Sequence, residues 1–310
     1  SSNDSEVILH LLARSREQHL EDRLIDALSR VKGAFSIVML TGESMIAARD
    51  PNGFRPLSLG RLGSSYVVAS ETCALDLIGA SFERDIEPGE VVVIRRGRLR
   101  SVQPFGRSLN ESFCIFEYIY FSRPDSNLLR HNVYAYRKEL GRLLAREKPA
   151  GADMVVPVLD SGTAAALGFA EESGIPYETA LIRNHYVQRS FIEPAQSIRD
   201  FRVKVKHNAI RGFLEGKRVA LVDDSIVRGT TSIKIVEMLR TAGASEVHMR
   251  ISSPPNTHSC FYGIDTPERQ ELLAAQMDVS GMAKHIGVDS LSFISIDGLY
   301  QAVCGASRDG

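Results

Sequence analysis

The sequence predicts two regions of different architecture: an α+β region, then an α/β region built on a doubly wound parallel sheet. Three observations predict this. The apolar period changes from helical to strand-like at Gly33. From about residue 115, apolar strands alternate with amphipathic helices. One of those strands runs straight into two acids, a hydroxyl-rich loop and a helix.

In residues 5–30, Val7, Ile8, Leu11 and Leu12, then Leu20, Leu24, Ile25 and Leu28, recur at helical spacing. One helix is expected there, with Asp4 or Ser5 as its N-cap. After Gly33 come short β-branched runs at 34–40, 44–49, 65–70 and 90–96. TGE, DPNG, LGSS and EPGE separate them with turn chemistry, which predicts an antiparallel sheet flanked by helices. The second region brings an amphipathic helix at 133–148 and a buried strand at 153–159 that turns into a helix over 160–175. A strand at 217–224, a helix at 230–244 with Gly243 near its end, and a strand at 246–254 continue the alternation. Domains are expected at 1–108 and 109–310, with the boundary in 104–113.

The 310 residues allow about two domains. With 37 basic and 38 acidic residues the formal charge is −1, which argues against nucleic-acid or membrane binding driven by bulk charge. No apolar run approaches the roughly 20 residues of a membrane span. The opening SSNDSEVILH has no signal-peptide pattern. Cys73, Cys114, Cys260 and Cys304 are widely spaced, so a reducing cytoplasm is expected rather than a disulfide scaffold. The chain begins with Ser and enters a helical pattern almost at once, which leads us to expect a fragment.

Val219–Ser232, VALVDDSIVRGTTS, is the most informative stretch. Its strand delivers Asp223 and Asp224 to the carboxyl edge of a sheet, where ligands of open α/β sheets bind. Ser225, Arg228, Gly229, Thr230, Thr231 and Ser232 follow at a helix start, a setting suited to phosphate. Two adjacent carboxylates there suit vicinal hydroxyls and a hard divalent cation. A sugar carrying a phosphate and a diol fits that description. Asp160, Ser161, Gly162 and Thr163 form a second strand-to-helix junction of the same kind, although an ordinary N-cap would read alike.

The pattern resembles the phosphoribosylpyrophosphate (PRPP) motif of type I phosphoribosyltransferases. In its detail, DDSIVRGTTS resembles the glutamine PRPP amidotransferase family. FEYIYFSRPDS (116–126), ARDPNGFRPLSLG (48–60), VVASETCALD (67–76), LIRNHYVQRSFIEP (181–194) and ISSPPNTHSCFYGIDTP (251–267) agree, so the resemblance covers nearly the whole chain. It implies a type I phosphoribosyltransferase fold preceded by the back part of an N-terminal-nucleophile glutaminase layer domain. It also implies formation of 5-phosphoribosylamine from PRPP and glutamine-derived ammonia, with release of pyrophosphate, the first committed step of purine synthesis.

By resemblance, Asp223 and Asp224 contact the ribose hydroxyls and magnesium, and Ser161 falls at a magnesium position. Residues 225–232 surround the 5′-phosphate, and 160–163 face the pyrophosphate. Segment 183–218 has nine Lys or Arg against three acids, a local balance of +6. We read it as a basic flap over a polyanionic substrate, with Arg183 and Arg189 in the family's closing loop. His185 and His207 lie in that segment, whereas His10, His131 and His258 lack metal-ligand spacing.

In the family, a cysteine at the first position of the mature enzyme hydrolyses glutamine. No cysteine precedes Cys73 here, so the chain as given is expected not to hydrolyse glutamine. Asp4 matches the residue that binds the glutamine amino group. Cys114 and Cys260 align with two of the four ligands of a 4Fe–4S cluster found in one branch of the family, and four thiolates are its normal complement. The resemblance further implies a homotetramer, purine-nucleotide feedback inhibitors, and neither nucleic acid nor membrane as partner. A salvage phosphoribosyltransferase would share the acid-pair loop but leaves residues 1–104 unexplained. A PRPP-sensing regulator should carry a helix-turn-helix, and none is legible.

Overall fold

The structure, a computed structural model, describes residues 5–106, 112–184, 207–262, 264 and 268–304. The chain forms two compact units. The first comprises Ser1–Glu117, Ser122–Arg130 and Cys260–Asp265, and the second Tyr118–Phe121, His131–Ser259 and Thr266–Gly310.

The first unit opens with two helices, α1 (Ser5–Arg14) and α2 (Leu20–Ser29), where the sequence predicts one. Residues 15–19, SREQH, have no apolar side chain to continue the buried stripe. Ser15 is buried there, and its hydroxyl accepts from the Glu17 amide at 3.4 Å, a local bond that competes with the helix.

Two antiparallel sheets follow, where one was expected. The first has the order β1 (Ser36–Leu40), β2 (Ser44–Arg49), β6 (Val91–Arg95) and β7 (Arg98–Val102). The second has β4 (Ser65–Ala69), β3 (Ser58–Leu62) and β5 (Ser81–Asp85), with helix α3 (Thr72–Ile78) linking β4 to β5. Because side chains alternate along a strand, β2 and β6 bury both faces. Ile46, Ala48, Val91 and Val93 pack with Leu24 and Leu28 of α2. Ala47 and Val92 pack with Leu57, Leu59 and Ile86. The unit is thus layered helix–sheet–sheet. Strands β3, β5 and β7 escaped the sequence reading because SLGRL, SFERD and RLRSV lack a run of β-branched residues; pairing with their neighbours defines them.

The two-residue strands β8 (Asn127–Leu128) and β9 (His131–Asn132) come next in the chain, and then helix α4 (Val133–Glu147). The sheet of the second unit is fully parallel, in the order β10 (Met154–Pro157), β13 (Arg218–Asp223), β14 (Glu246–Ile251) and β15 (Ser290–Phe293). Helix α5 (Thr163–Ser173) follows β10, and α6 (Arg211–Leu214) and α7 (Thr230–Thr241) flank β13 in the chain. Helices α8 (Leu273–Gln276), α9 (Val279–Ile286) and α10 (Ile296–Cys304) complete it. Val219, Leu221, Val247, Met249, Leu291 and Phe293 form one apolar face, covered by Ile235 and Leu239 of α7 and by Met282 and Ile286 of α9. Helix α5 packs on β10 and β13 and crosses α4 at very short range. A Cβ on Gly141 would strike the Ala165 carbonyl, and one on Gly168 the Lys138 carbonyl, so glycine permits this crossing.

A parallel bridge joins Val155 to Tyr177 on the outer side of β10. The chain therefore leaves β10 in one direction across the sheet and leaves β13 in the other, toward β14. The gap between two such strands is a topological switch point.

Candidate active site at the switch point

The crevice opens at the carboxyl ends of β10 and β13. Their last rung pairs Pro157 with Val222, and the Val158 amide donates to the Val222 carbonyl at 2.9 Å. Beyond it the two chains turn apart. They come closest at Gly162, where a Cβ would strike the Val222 carbonyl and lie 2.9 Å from the Val158 carbonyl oxygen and 3.2 Å from Asp223 Cα. The Leu159–Asp160 peptide is cis. Asp160 forms an ion pair with Arg183, at the end of β11 (Leu181–Arg183). Strand β11 pairs antiparallel with β12 (His207–Ala209), and His207 Nε2 lies 3.2 Å from the Leu159 carbonyl oxygen.

On the β13 side, Asp223 and Asp224 are buried at 6% and 5% relative exposure. The Asp224 amide donates to Asp223 Oδ1 at 2.9 Å, and the Ser225 hydroxyl donates to Asp224 Oδ2 at 2.7 Å. Burial first, and the neighbouring Asp224 second, push the Asp223 carboxyl well above the usual carboxylate range. Ser252, just beyond β14, is buried and donates its amide to the Asp223 carbonyl at 3.0 Å. A carboxylate pair so enclosed is a receptor for hydroxyl donors or a cation.

The loop after Asp224 is anchored at its middle. Ile226 is buried in the core, and the Val227 carbonyl accepts from the Leu273 amide at 2.9 Å. Gly229 has φ +76°, and a Cβ there would lie 2.7 Å from Leu273 Cδ2. Helices α5 and α7 both start behind a glycine and have no side-chain cap, among the described residues. By contrast, Asn132 caps α4 and Asp278 caps α9. The Thr163 amide at the start of α5 donates to the Asp160 carbonyl at 3.2 Å, but no side chain caps the N–H groups that follow it or those that open α7, and such groups are how helix N-termini hold anions.

Asp160, Ser161, Gly162 and Thr163 thus meet Asp223, Asp224, Ser225, Gly229, Thr230, Thr231 and Ser232 at adjacent strand ends. Arg228, expected at the anion, pairs with Glu271 at 3.0 Å. Asp4 and Arg189 lie outside the described residues, as does most of the basic segment. Ser252 and Glu271 were not singled out from the sequence. Ser252 lies inside the strand that the sequence predicts at 246–254, and only the observed end of β14 at Ile251 places it at the strand's carboxyl edge.

Among the described residues no three His, Cys, Asp or Glu side chains converge on a site that could hold a metal ion. The oxygens of Asp223, Asp224 and Ser161 nevertheless suit a hard cation that completes its shell with substrate oxygens and water. Cys114 and Cys260 both belong to the first unit, and their thiols are close enough to interact. Burial chiefly pushes the Cys114 thiol up, and Cys260 adds to the effect. Around them, Cys114 donates its amide to the Phe54 carbonyl at 3.0 Å, and the rings of Phe54 and Tyr262 stack at 4.5 Å. Such a convergence fits two ligands of a thiolate-bound cluster.

Four similarities complete the description of the site. The family described as "Glutamine amidotransferase domain" matches residues 1–77. The amidophosphoribosyltransferase of Rhizobium etli is 55% identical over 320 residues, covering 100% of this chain and 63% of that protein. That of Bacillus subtilis is 52% identical over 303 residues, covering 98% and 63%. The chain therefore spans less than two thirds of these curated relatives. A solved structure of glutamine PRPP amidotransferase from B. subtilis, complexed with ADP and GMP, superposes with a TM-score of 0.90 at 51% identity, covering 100% of this chain and 68% of that one.

Proposed function

Because the chain belongs to the amidophosphoribosyltransferase family, we propose that its second unit binds PRPP and transfers the phosphoribosyl group to ammonia, releasing pyrophosphate, as the first committed step of purine synthesis. One observation carries this reading: a buried Asp223–Asp224 pair at the switch point, flanked by the uncapped N-termini of α5 and α7.

In this reading the two carboxylates accept hydrogen bonds from the ribose hydroxyls. The N–H groups and hydroxyls of Gly229, Thr230, Thr231 and Ser232 hold the 5′-phosphate, and Ser161, Gly162 and Thr163 face the pyrophosphate. The C1–O bond to pyrophosphate breaks as the C1–N bond to ammonia forms, and the surplus proton leaves to solvent. The ribose has oxocarbenium character in between, so these residues act by positioning and charge complementarity, with no covalent nucleophile needed. When bound, magnesium neutralises charge on the departing pyrophosphate, and Asp223, Asp224 and Ser161 are the residues that would hold it.

The test is pyrophosphate release from PRPP, magnesium and ammonia by the purified chain. Release that needs ammonia supports the reading. Release only with a nucleobase would assign salvage chemistry, and binding without turnover would assign a sensor.

Four further parts belong to the proposal. In the full-length protein, Cys114 and Cys260 supply two of four thiolates to a 4Fe–4S cluster; iron and sulfide below stoichiometry after anaerobic purification of that protein would remove it. Purine nucleotides bind as inhibitors, in line with the ADP and GMP held by the B. subtilis relative, and the protein assembles as a homotetramer. It works in the cytoplasm, in line with the widely spaced cysteines, which do not suggest a disulfide scaffold.

A further inference from the structure

The β6–β7 hairpin of the first unit has the sequence IRRGRLRS (94–101), with Arg95, Arg96, Arg98 and Arg100 inside six residues of a chain whose net charge is −1. All four are exposed. Strand alternation sets Arg98 and Arg100 on the same face of β7, two residues apart. Cross-strand register sets Arg95 directly opposite Arg98. Like charges in that relation repel and destabilise a hairpin. Arg96, at the turn, has φ +50°, a left-handed conformation usually given to Gly or Asn.

Compensation within the fold is partial. Arg95 lies 3.7 Å from Glu21 and 3.9 Å from Glu43, and Arg100 lies 3.7 Å from Glu21. Arg96 and Arg98 make no ion pair among the described residues. Strand β7 is also the last of its sheet, with no strand on its far side among the described residues. Charges on an edge strand can serve merely to prevent aggregation. That purpose does not account for Arg95, which sits on the inner strand β6, nor for Arg96, which sits at the turn.

We propose that this hairpin is a docking edge for an extended acidic segment of a partner protein. The partner's main chain pairs with the edge of β7 that meets no strand among the described residues, and carboxylates at alternate positions meet Arg98 and Arg100. The spacing suits this, because residues two apart on one face of both strands repeat at about 6.8 Å. Arginine forks suit carboxylates in particular, binding them through two parallel hydrogen bonds. Glu21 and Glu43 stand among the arginines, and the hairpin offers no aromatic platform for bases. Both features disfavour a continuous phosphate backbone and favour discrete carboxylates.

The test uses the purified chain and a fluorescein-labelled peptide with Asp at alternate positions, followed by anisotropy. Binding should weaken at least about tenfold in R98S/R100S, and by a similar factor when the peptide carries Asn for Asp or N-methyl groups on alternate amides. Absence of binding at millimolar peptide would overturn the proposal. So would equal affinity for the Asn or N-methyl peptides, or tighter binding of a single-stranded RNA oligonucleotide. The modified peptides keep the test decisive even where the double variant fails to fold.

Discussion

Asp223 and Asp224 are neighbours in sequence, both buried, and joined by a hydrogen bond from the Asp224 amide to Asp223 Oδ1 at 2.9 Å. Two carboxylates so placed repel each other unless something outside the protein reconciles them. Asp223→Asn keeps the shape and removes the repulsion. We expect it to melt at or above the wild-type temperature while ammonia-dependent pyrophosphate release falls by about 100-fold or more. Retained activity, or a large drop in stability, would contradict the assigned role.

Gly162 sits where the two sides of the crevice touch. Gly162→Ala drives a methyl group into the carbonyls of Val222 and Val158. Urea unfolding should record a loss of about 1–3 kcal/mol, the usual cost of overpacking a site that cannot give. Gly168→Ala, where α5 crosses α4, should lose a comparable amount without altering PRPP binding.

In the first unit, Glu90 is buried and fully used. It accepts from Arg84 at 2.7 and 2.8 Å, from the Ser101 hydroxyl at 2.6 Å and from the Glu87 amide at 2.7 Å. Glu90→Ala strands all of these donors at once and should cost about 3 kcal/mol in chemical denaturation. Glu90→Gln, which keeps part of the acceptor set, should lose less. Equal losses for the two variants would show that packing, not pairing, sets the cost.

At the opposite end of the parallel sheet, Arg218 donates to Asp153 Oδ1 at 2.8 Å from its guanidinium and to Oδ2 at 2.9 Å from its amide. These bonds, the guanidinium one foremost, hold the Asp153 carboxyl down to about 2. Its folded value therefore lies below the unfolded value of about 4, so its contribution is complete above pH 4 and disappears as pH falls through 2. The melting temperatures of wild type and Asp153→Asn should differ slightly at pH 7 and converge near pH 2. The difference should be small because the pair is exposed.

The strand, loop and helix spanning 217–244 were legible because their signals are local: an apolar run, an abrupt pair of acids, a glycine and hydroxyls at a helix start. What the sequence hid is long-range. The second antiparallel sheet depends on the pairing of β3 with β4 and β5, and SLGRL alone does not announce a strand. The pairing of Arg228 with Glu271 and of Arg183 with Asp160 joins residues 43 and 23 positions apart. The single bridge at Tyr177 is what turns two strand ends into a switch point, and nothing in the residues around 177 marks it.

That bridge carries an implication for how such a site can change over evolution. The opening between β10 and β13 exists because the polypeptide departs to opposite sides, whichever side chains line it. No hydrophobic contact has to be sacrificed to keep it open. Residues at its rim other than Gly162 can therefore be exchanged to admit a different nucleophile while the scaffold keeps its strength, so selectivity here can drift without first passing through an unfolded ancestor.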